Sequence, residues 1–250
     1  MRRYRTNVDG KVQTLNFHVP GDFCNLHTNL AQSIEYSIGT VGPAVIAYIP
    51  HDRIEEISRQ NPRLARTFNW LAFNEFSILQ EWLFNVGSRP SPQRLAHLLC
   101  ELLIRLRAAG LTDGHHFYLP LSQAQLGEAM GITIVHTNRS MGQLRKEGLI
   151  NFEGRKVDVT NWPGLKKYAD FDVRYLHLDN AEPSLIKDLR ISYVVTWPFN
   201  QPDLGGAINK NAPPGRLKRA LKTVIEGWLP CQVERIHAYT LRVNVTFAVQ

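Results

Sequence analysis

Within Leu119–Val159 the chain carries Val135, Asn138 and Arg139, followed by Arg145, Lys146, Arg155 and Lys156. These types at these spacings are no nucleophile–base pair, no carboxylate pair and no metal ligand set. They are the groups that read base edges and neutralise phosphates. Arg139 suits a bidentate contact to guanine O6 and N7, worth about 1–3 kcal/mol of discrimination against a wrong base. Asn138 reads a base or holds a phosphate. Val135 suits the methyl group of thymine. Arg145, Lys146, Arg155 and Lys156 suit phosphates, which give affinity without sequence information.

The elements that must hold these groups are legible around them. Ser122 with Gln125 three residues later fits a capping box, and Leu121 with Leu126 fits the staple that closes it. A short helix then runs through Ala129 and Met130. Gly131-Ile132 makes a turn, because glycine tolerates positive φ. Thr133 caps a second helix that runs to about Glu147, and Gly148 ends it. Thr137, Met141 and Leu144 lie at i, i+4 and i+7 and must pack inward. Val135, His136, Asn138, Arg139, Gly142, Arg145 and Lys146 lie on the opposite side. Two short helices joined by a glycine turn make a helix-turn-helix, whose second helix enters the DNA major groove. Asn151–Val157 reads as a hairpin turning at Gly154, a wing with Arg155 and Lys156 at its tip.

The rest of the chain bounds the reading. The 250 residues, 44% hydrophobic, suffice for one or two domains with a buried core and exclude a disordered chain. Net charge is +7. Residues 1–90 carry 9 basic and 8 acidic side chains, so the excess lies beyond residue 90. Cys24, Cys100 and Cys231 are odd in number and far apart, so neither a disulfide framework nor a zinc site is expected. No apolar run is long enough to span a membrane and no signal peptide is visible, so a cytoplasmic location is expected.

Residues 4–50 read as short strands: Val12, Leu15, Phe17 and Val19 alternate, and a second run goes from Ala44 to Ile49. Residues 62–86 read as one helix capped by Asn61, with two apolar stripes. One stripe holds Leu64, Leu71, Ile78 and Trp82. The other holds Ala65, Phe68, Ala72, Phe76, Leu79, Leu83 and Val86; Phe68, Ala72, Phe76, Leu79 and Leu83 are assigned to a twin subunit, and burial inside a monomer is the alternative. Residues 92–109 read as a helix capped by Ser91, with Leu95, Leu98, Leu99, Leu102, Leu103 and Leu106 in the core.

The stretches Gln125–Thr133, Val135–Arg139 and Leu144–Ile150 resemble the winged helix of the Crp/Fnr transcription regulators. The docking geometry on DNA is the one that this resemblance implies. The likeness covers about residues 4–178. It implies an α+β fold: a partial, cyclic-nucleotide-binding-like β-roll at 1–60, a dimerisation helix at 61–88, a winged helix-turn-helix at 89–178, and an extension of unknown fold at 179–250. It implies a homodimer on a roughly palindromic operator of double-stranded DNA, with RNA polymerase as a further partner. Val135, Asn138 and Arg139 fall at the family's main base-reading positions. Gln123, Thr133 and His136 fall where phosphates approach, and Ile134 falls at a further base-contacting position. A glutamate is frequent in the family where Val135 stands, which puts the usual operator in doubt.

Other departures shape the expectations. Cyclic-nucleotide binders in the family place a Gly-Glu and then an Arg-Ser pair after the turn matched by Pro20-Gly21-Asp22. Here residues 24–39 hold Glu35 and no arginine. Cyclic AMP is therefore not expected, no cofactor or metal is expected, and the effector stays open. His18, His27 and His51 read as ordinary residues rather than haem ligands, and Cys24 is not read as a redox sensor. The roll begins midway: it is truncated, Met1 is not the natural start, or the regulator works with half a sensor. Residues 181–250 match nothing known to us; within them Gly215–Lys222 is a basic amphipathic stretch read as a solvated face or a supplementary nucleic-acid contact. Asp113, His115 and His116 have no supporting ligands or nucleophile, so no catalytic residue is assigned and an enzyme is not expected. The alternative to a DNA-binding regulator is a winged-helix interaction module without DNA binding.

Overall fold

The computed structural model describes residues 1–26, 28, 33–42, 44–112 and 114–178, with the backbone of two further strands at 231–235 and 241–245. These residues fall into two compact units. One holds residues 1–41 and 67–178; the other holds 42–66 and the two late strands. His27, Asp113 and the basic stretch Gly215–Lys222 lie outside the described residues.

The first unit opens with strands β1 (Arg2–Thr6) and β2 (Val12–Phe17), an antiparallel hairpin flanked by β3 (Ser37–Gly39) in the order β2-β1-β3. The hairpin turn is built by Asn7, whose side-chain oxygen accepts from the Asp9 and Lys11 amides at 3.0 and 2.8 Å. An Asx turn of this kind competes well with extended backbone. The expected inward face of β2 is only partly right. Phe17 is buried, but so are Thr14, Asn16 and His18, while Leu15 is half-buried. The register shifts between Arg3 and Tyr4, which breaks the simple alternation of faces.

Helix α2 (Pro62–Ser88) begins where proline suits the first turn, and the Asn61 side chain accepts from the Leu64 amide at 3.2 Å. It ends before Pro90, which cannot donate to a continuing helix. Helix α3 (Ser91–Ala108) follows at once. Its cap is Pro90, without a side-chain hydrogen bond; the expected cap Ser91 is already helical. The expected leucines fill the core, with Leu106 only partly buried. His97, Glu101 and Arg105, spaced four apart, are buried as well. Helix α3 is thus enclosed on its polar side too, a burial that leucine periodicity does not foretell.

Next come β5 (His116–Tyr118), α4 (Gln123–Met130), α5 (Ile134–Lys146), β6 (Asn151–Glu153), β7 (Lys156–Asp158), α6 (Trp162–Tyr168) and a 3-10 turn (Val173–Leu176). Helix α5 packs on α3 and α4, and α6 packs on α3. The wing strands form an antiparallel sheet in the order β5-β7-β6. His115 stacks on Trp162 at 6.0 Å between ring centroids, and His116 opens β5.

The second unit contains β4 (Val45–Tyr48), α1 (His51–Gln60), β8 (Cys231–Arg235) and β9 (Leu241–Val245). β4 pairs in parallel with β9, which pairs antiparallel with β8. Two strands of the C-terminal extension therefore share a sheet with a strand that the sequence pattern groups with the N-terminal roll. Nothing in local periodicity reveals a pairing across roughly 200 residues of chain.

Candidate nucleic-acid interface

The site is built on α4, the turn and α5. Ser122 Oγ accepts from the Gln125 amide at 3.1 Å, and Gln125 Oε1 accepts from the Ser122 amide at 2.9 Å, so the capping box closes both ways. Gly131 ends α4 in the left-handed region at φ 66°. Thr133 Oγ1 then accepts from the His136 amide at 3.3 Å and starts α5. Gly127 has a separate duty. A Cβ on it would lie 2.6 Å from the Ile132 carbonyl oxygen and 3.0 Å from Thr137 Oγ1. Only a residue without a side chain lets the turn and α5 approach α4 so closely.

On α5 the two faces separate cleanly. Thr137, Ser140, Met141 and Leu144 are buried; Val135, His136, Asn138, Arg139, Arg145 and Lys146 are exposed. At 100° per residue, Val135, Asn138, Arg139, Gly142 and Lys146 share one outward stripe, with Arg145 at its edge. Gly142 presents no side chain in the middle of that stripe, and nothing beyond its own stretch of helix lies within 4 Å of where its Cβ would be. Ile134 and Val135 are 50% and 62% exposed. The orphan amides of the first turn add partial positive charge at this same end.

The wing follows α5 in the chain. Gly154 turns it, and Arg155 and Lys156 are exposed. Arg155 donates weakly to the Tyr118 hydroxyl at 3.5 Å, and its carbonyl accepts from the Leu119 amide at 2.7 Å. Gln123 and Thr133 are exposed at the start of their helices. The structure thus brings the residues expected at base edges onto one surface of α5, and puts the residues expected at phosphates at helix starts, at the end of α5 and on the wing.

Sequence reasoning misses the groups that hold α4 in place. The last carbonyls of a helix lack intrahelical donors. Here Gln13 Nε2 donates to the Ala129 carbonyl at 3.3 Å and Arg94 to the Met130 carbonyl at 3.1 Å. Arg2 pairs with Glu128. The signal for the hairpin that carries Gln13 is present in Asp9-Gly10, a strong turn dipeptide.

The expected dimer residues divide. Phe76, Leu79 and Leu83 are 55%, 50% and 75% exposed, and Phe73 and Phe84 join them at 54% and 52%. Ala72 is half-buried. Phe68 lies inside the chain instead, edge-on to Phe23 at 6.1 Å. Its stripe turns into the unit at that level because Phe23, from the turn after β2, covers it. On the other stripe Ile78 and Trp82 are buried, while Leu64 and Leu71 are half-buried.

Cys24 and Cys100 are free thiols. Burial pushes Cys24 up to about 11 and raises Cys100 as well, which disfavours the reactive thiolate. No helix among the described residues is long and apolar enough to cross a membrane.

Residues 93–168 match the Crp-like helix-turn-helix domain. The transcriptional regulatory protein btr of Bordetella pertussis is 30% identical over 158 residues, which is 63% of this chain and 65% of that protein. The transcriptional activator protein anr of Pseudomonas aeruginosa is 26% identical over 150 residues, 60% of this chain and 61% of its own length. The chain therefore spans a little under two thirds of these curated relatives. Among solved structures, FixK2 from Bradyrhizobium japonicum superimposes with a TM-score of 0.52 at 20% identity, over 67% of this chain and 81% of that one.

Proposed function

We propose, from the premise that residues 93–168 belong to the Crp-like helix-turn-helix family and that the chain is related to the Crp/Fnr transcription regulators, that this protein is a homodimeric, sequence-specific DNA-binding regulator. Helix α5 lies in the major groove of each half of a roughly palindromic operator. The observation that carries this reading is the outward stripe of Val135, Asn138, Arg139 and Lys146 on α5, together with the exposed basic residues of the wing.

In this reading Arg139 and Asn138 hydrogen-bond to base edges and Val135 packs on a thymine methyl. Gln123, Thr133, His136, Arg145, Lys146, Arg155 and Lys156 position the protein on phosphates. The exposed apolar face of α2 meets its copy in a twin chain; Phe73 and Phe84 belong to that face and Phe68 does not. RNA polymerase is the partner when such a regulator activates.

The test is selection of DNA from a random pool by the purified protein, then a salt titration on the winner. The expected result is a palindrome with half-sites about one helical turn apart and steep loss of affinity with salt. Arg139→Ala is expected to lose about 1–3 kcal/mol of discrimination at one base pair. Arg155→Ala is expected to weaken binding to all sequences alike. A folded dimer that enriches no sequence and shows no salt-sensitive DNA binding would support the interaction module instead.

A further inference from the structure

The break between α2 and α3 at Arg89-Pro90 joins the helix that carries the exposed apolar face to the domain that carries α5. A two-residue break would leave the angle between these helices soft. In this chain it is bridged by buried polar groups. Glu101 on α3 is fully buried. Its Oε2 accepts from Trp82 Nε1 of α2 at 2.9 Å and from the Tyr175 hydroxyl of the 3-10 turn at 2.9 Å. Its Oε1 accepts from Arg105 at 2.8 Å, and Arg105 reaches Asp22 at 2.7 Å. One carboxylate thus ties α2, α3, the segment after the wing and the turn after β2.

A second cluster crosses the same break. Glu81 of α2 accepts from Arg89 at 2.7 Å and lies 3.0 Å from His97 Nε2 of α3. Arg89 also donates to the Asp170 carbonyl at 3.2 Å. Asn85 of α2 donates to the Arg94 carbonyl at 3.2 Å. Tyr175 stacks on His97 with ring centroids 5.8 Å apart. Buried, hydrogen-bonded charges of this kind add little net stability, but they are directional and penalise any geometry that separates them.

We infer that the Glu101 network, with Tyr175 as the strap from the segment after the wing, is a positioning device that sets the α2–α3 angle and thereby the operator spacing the dimer accepts. The inference rests on the dimeric reading above. In a dimer joined along α2, this angle decides the distance and rotation between the two copies of α5. One added base pair moves a half-site by about 3.4 Å and turns it by roughly 36°. A dimer with a fixed angle rejects that change; one with a loose angle follows it. The effect belongs to spacing and leaves base preference within a half-site alone.

The experiment measures binding of the full chain to a series of operators. They keep the selected half-sites and differ by one or two base pairs in the spacer. The wild type is compared with Tyr175→Phe, which loses only the hydroxyl, and Trp82→Phe, which removes the α2 donor. Both variants are expected to remain dimers, to keep the half-site sequence and to discriminate several-fold less between the best spacer and its neighbours. A merely structural role would weaken binding to every spacer equally, and that outcome overturns the inference. Wild-type discrimination in both folded variants overturns it too. If one variant does not fold, the other decides. A wild type that is monomeric overturns the dimeric reading itself, before any variant is compared; a wild-type dimer indifferent to spacing overturns the inference.

Discussion

His18 closes the N-terminal hairpin with 6% of its surface exposed. Burial holds its pKa down to about 2, and the nearby Arg3 and Arg105 push in the same direction. Glu75 and Asp22 lie 3.9 Å from its Nδ1 without reversing this. The folded protein thus keeps His18 neutral, whereas the unfolded chain takes up a proton near pH 6.5. Between these values the unfolded state binds the extra proton, so stability falls as pH drops below about 6.5 and is unaffected by this group above it. Glu75, raised by burial, opposes the trend at lower pH. The expected loss from His18 is about 1 kcal/mol at pH 5.5, read as a lower urea midpoint than at pH 7. His18→Gln should flatten that difference; an unchanged slope in the variant would remove His18 as its source.

The helix-turn-helix is the element where sequence and structure agree in most detail. Its capping box, its left-handed glycine and the Thr133 cap are local, so residue spacing reveals them. Gly127 is different. Its neighbours are the Ile132 carbonyl and the Thr137 hydroxyl, and only the packed turn brings them within 3.0 Å. Gly127→Ala is therefore expected to destabilise the domain by about 1–3 kcal/mol despite the better helix propensity of alanine. Thermal unfolding measures this. A gain in melting temperature would mean that the turn can give way, and that α5 is held less tightly to α4 than the contacts imply. Helix α3 teaches the converse. Its leucines mark one face, but His97, Glu101 and Arg105 look solvent-bound by type and are buried because other elements supply their partners.

At the scale of the molecule, α2 carries an exposed apolar face among the described residues. Phe73, Phe76, Leu79, Leu83 and Phe84 each show half or more of their surface. Leu83 is 75% exposed, so Leu83→Glu costs the single chain little. In the proposed dimer it would bury two uncompensated carboxylates and should split the assembly. Sedimentation is expected to show a folded monomer with a large loss of operator affinity. A variant that stays dimeric would move the interface elsewhere.

Residue order by itself determined helices α2 to α5, the Asn61, Ser122 and Thr133 caps, the inward and outward faces of α5 and the wing turn. These depend on backbone preferences and periodicities that act within a few residues. It also carried the likeness to a family, because the motif lies in one contiguous stretch. Tertiary structure alone decided which apolar stripe residues stay free on α2, with Phe23 removing Phe68 from the exposed set. It alone paired β4 with a strand near the C-terminus. It alone converted Glu101, Trp82, Tyr175 and Arg105 from scattered polar and aromatic residues into one buried junction. Such contacts join residues tens to hundreds of positions apart. Their energy depends on burial and geometry that no local pattern encodes.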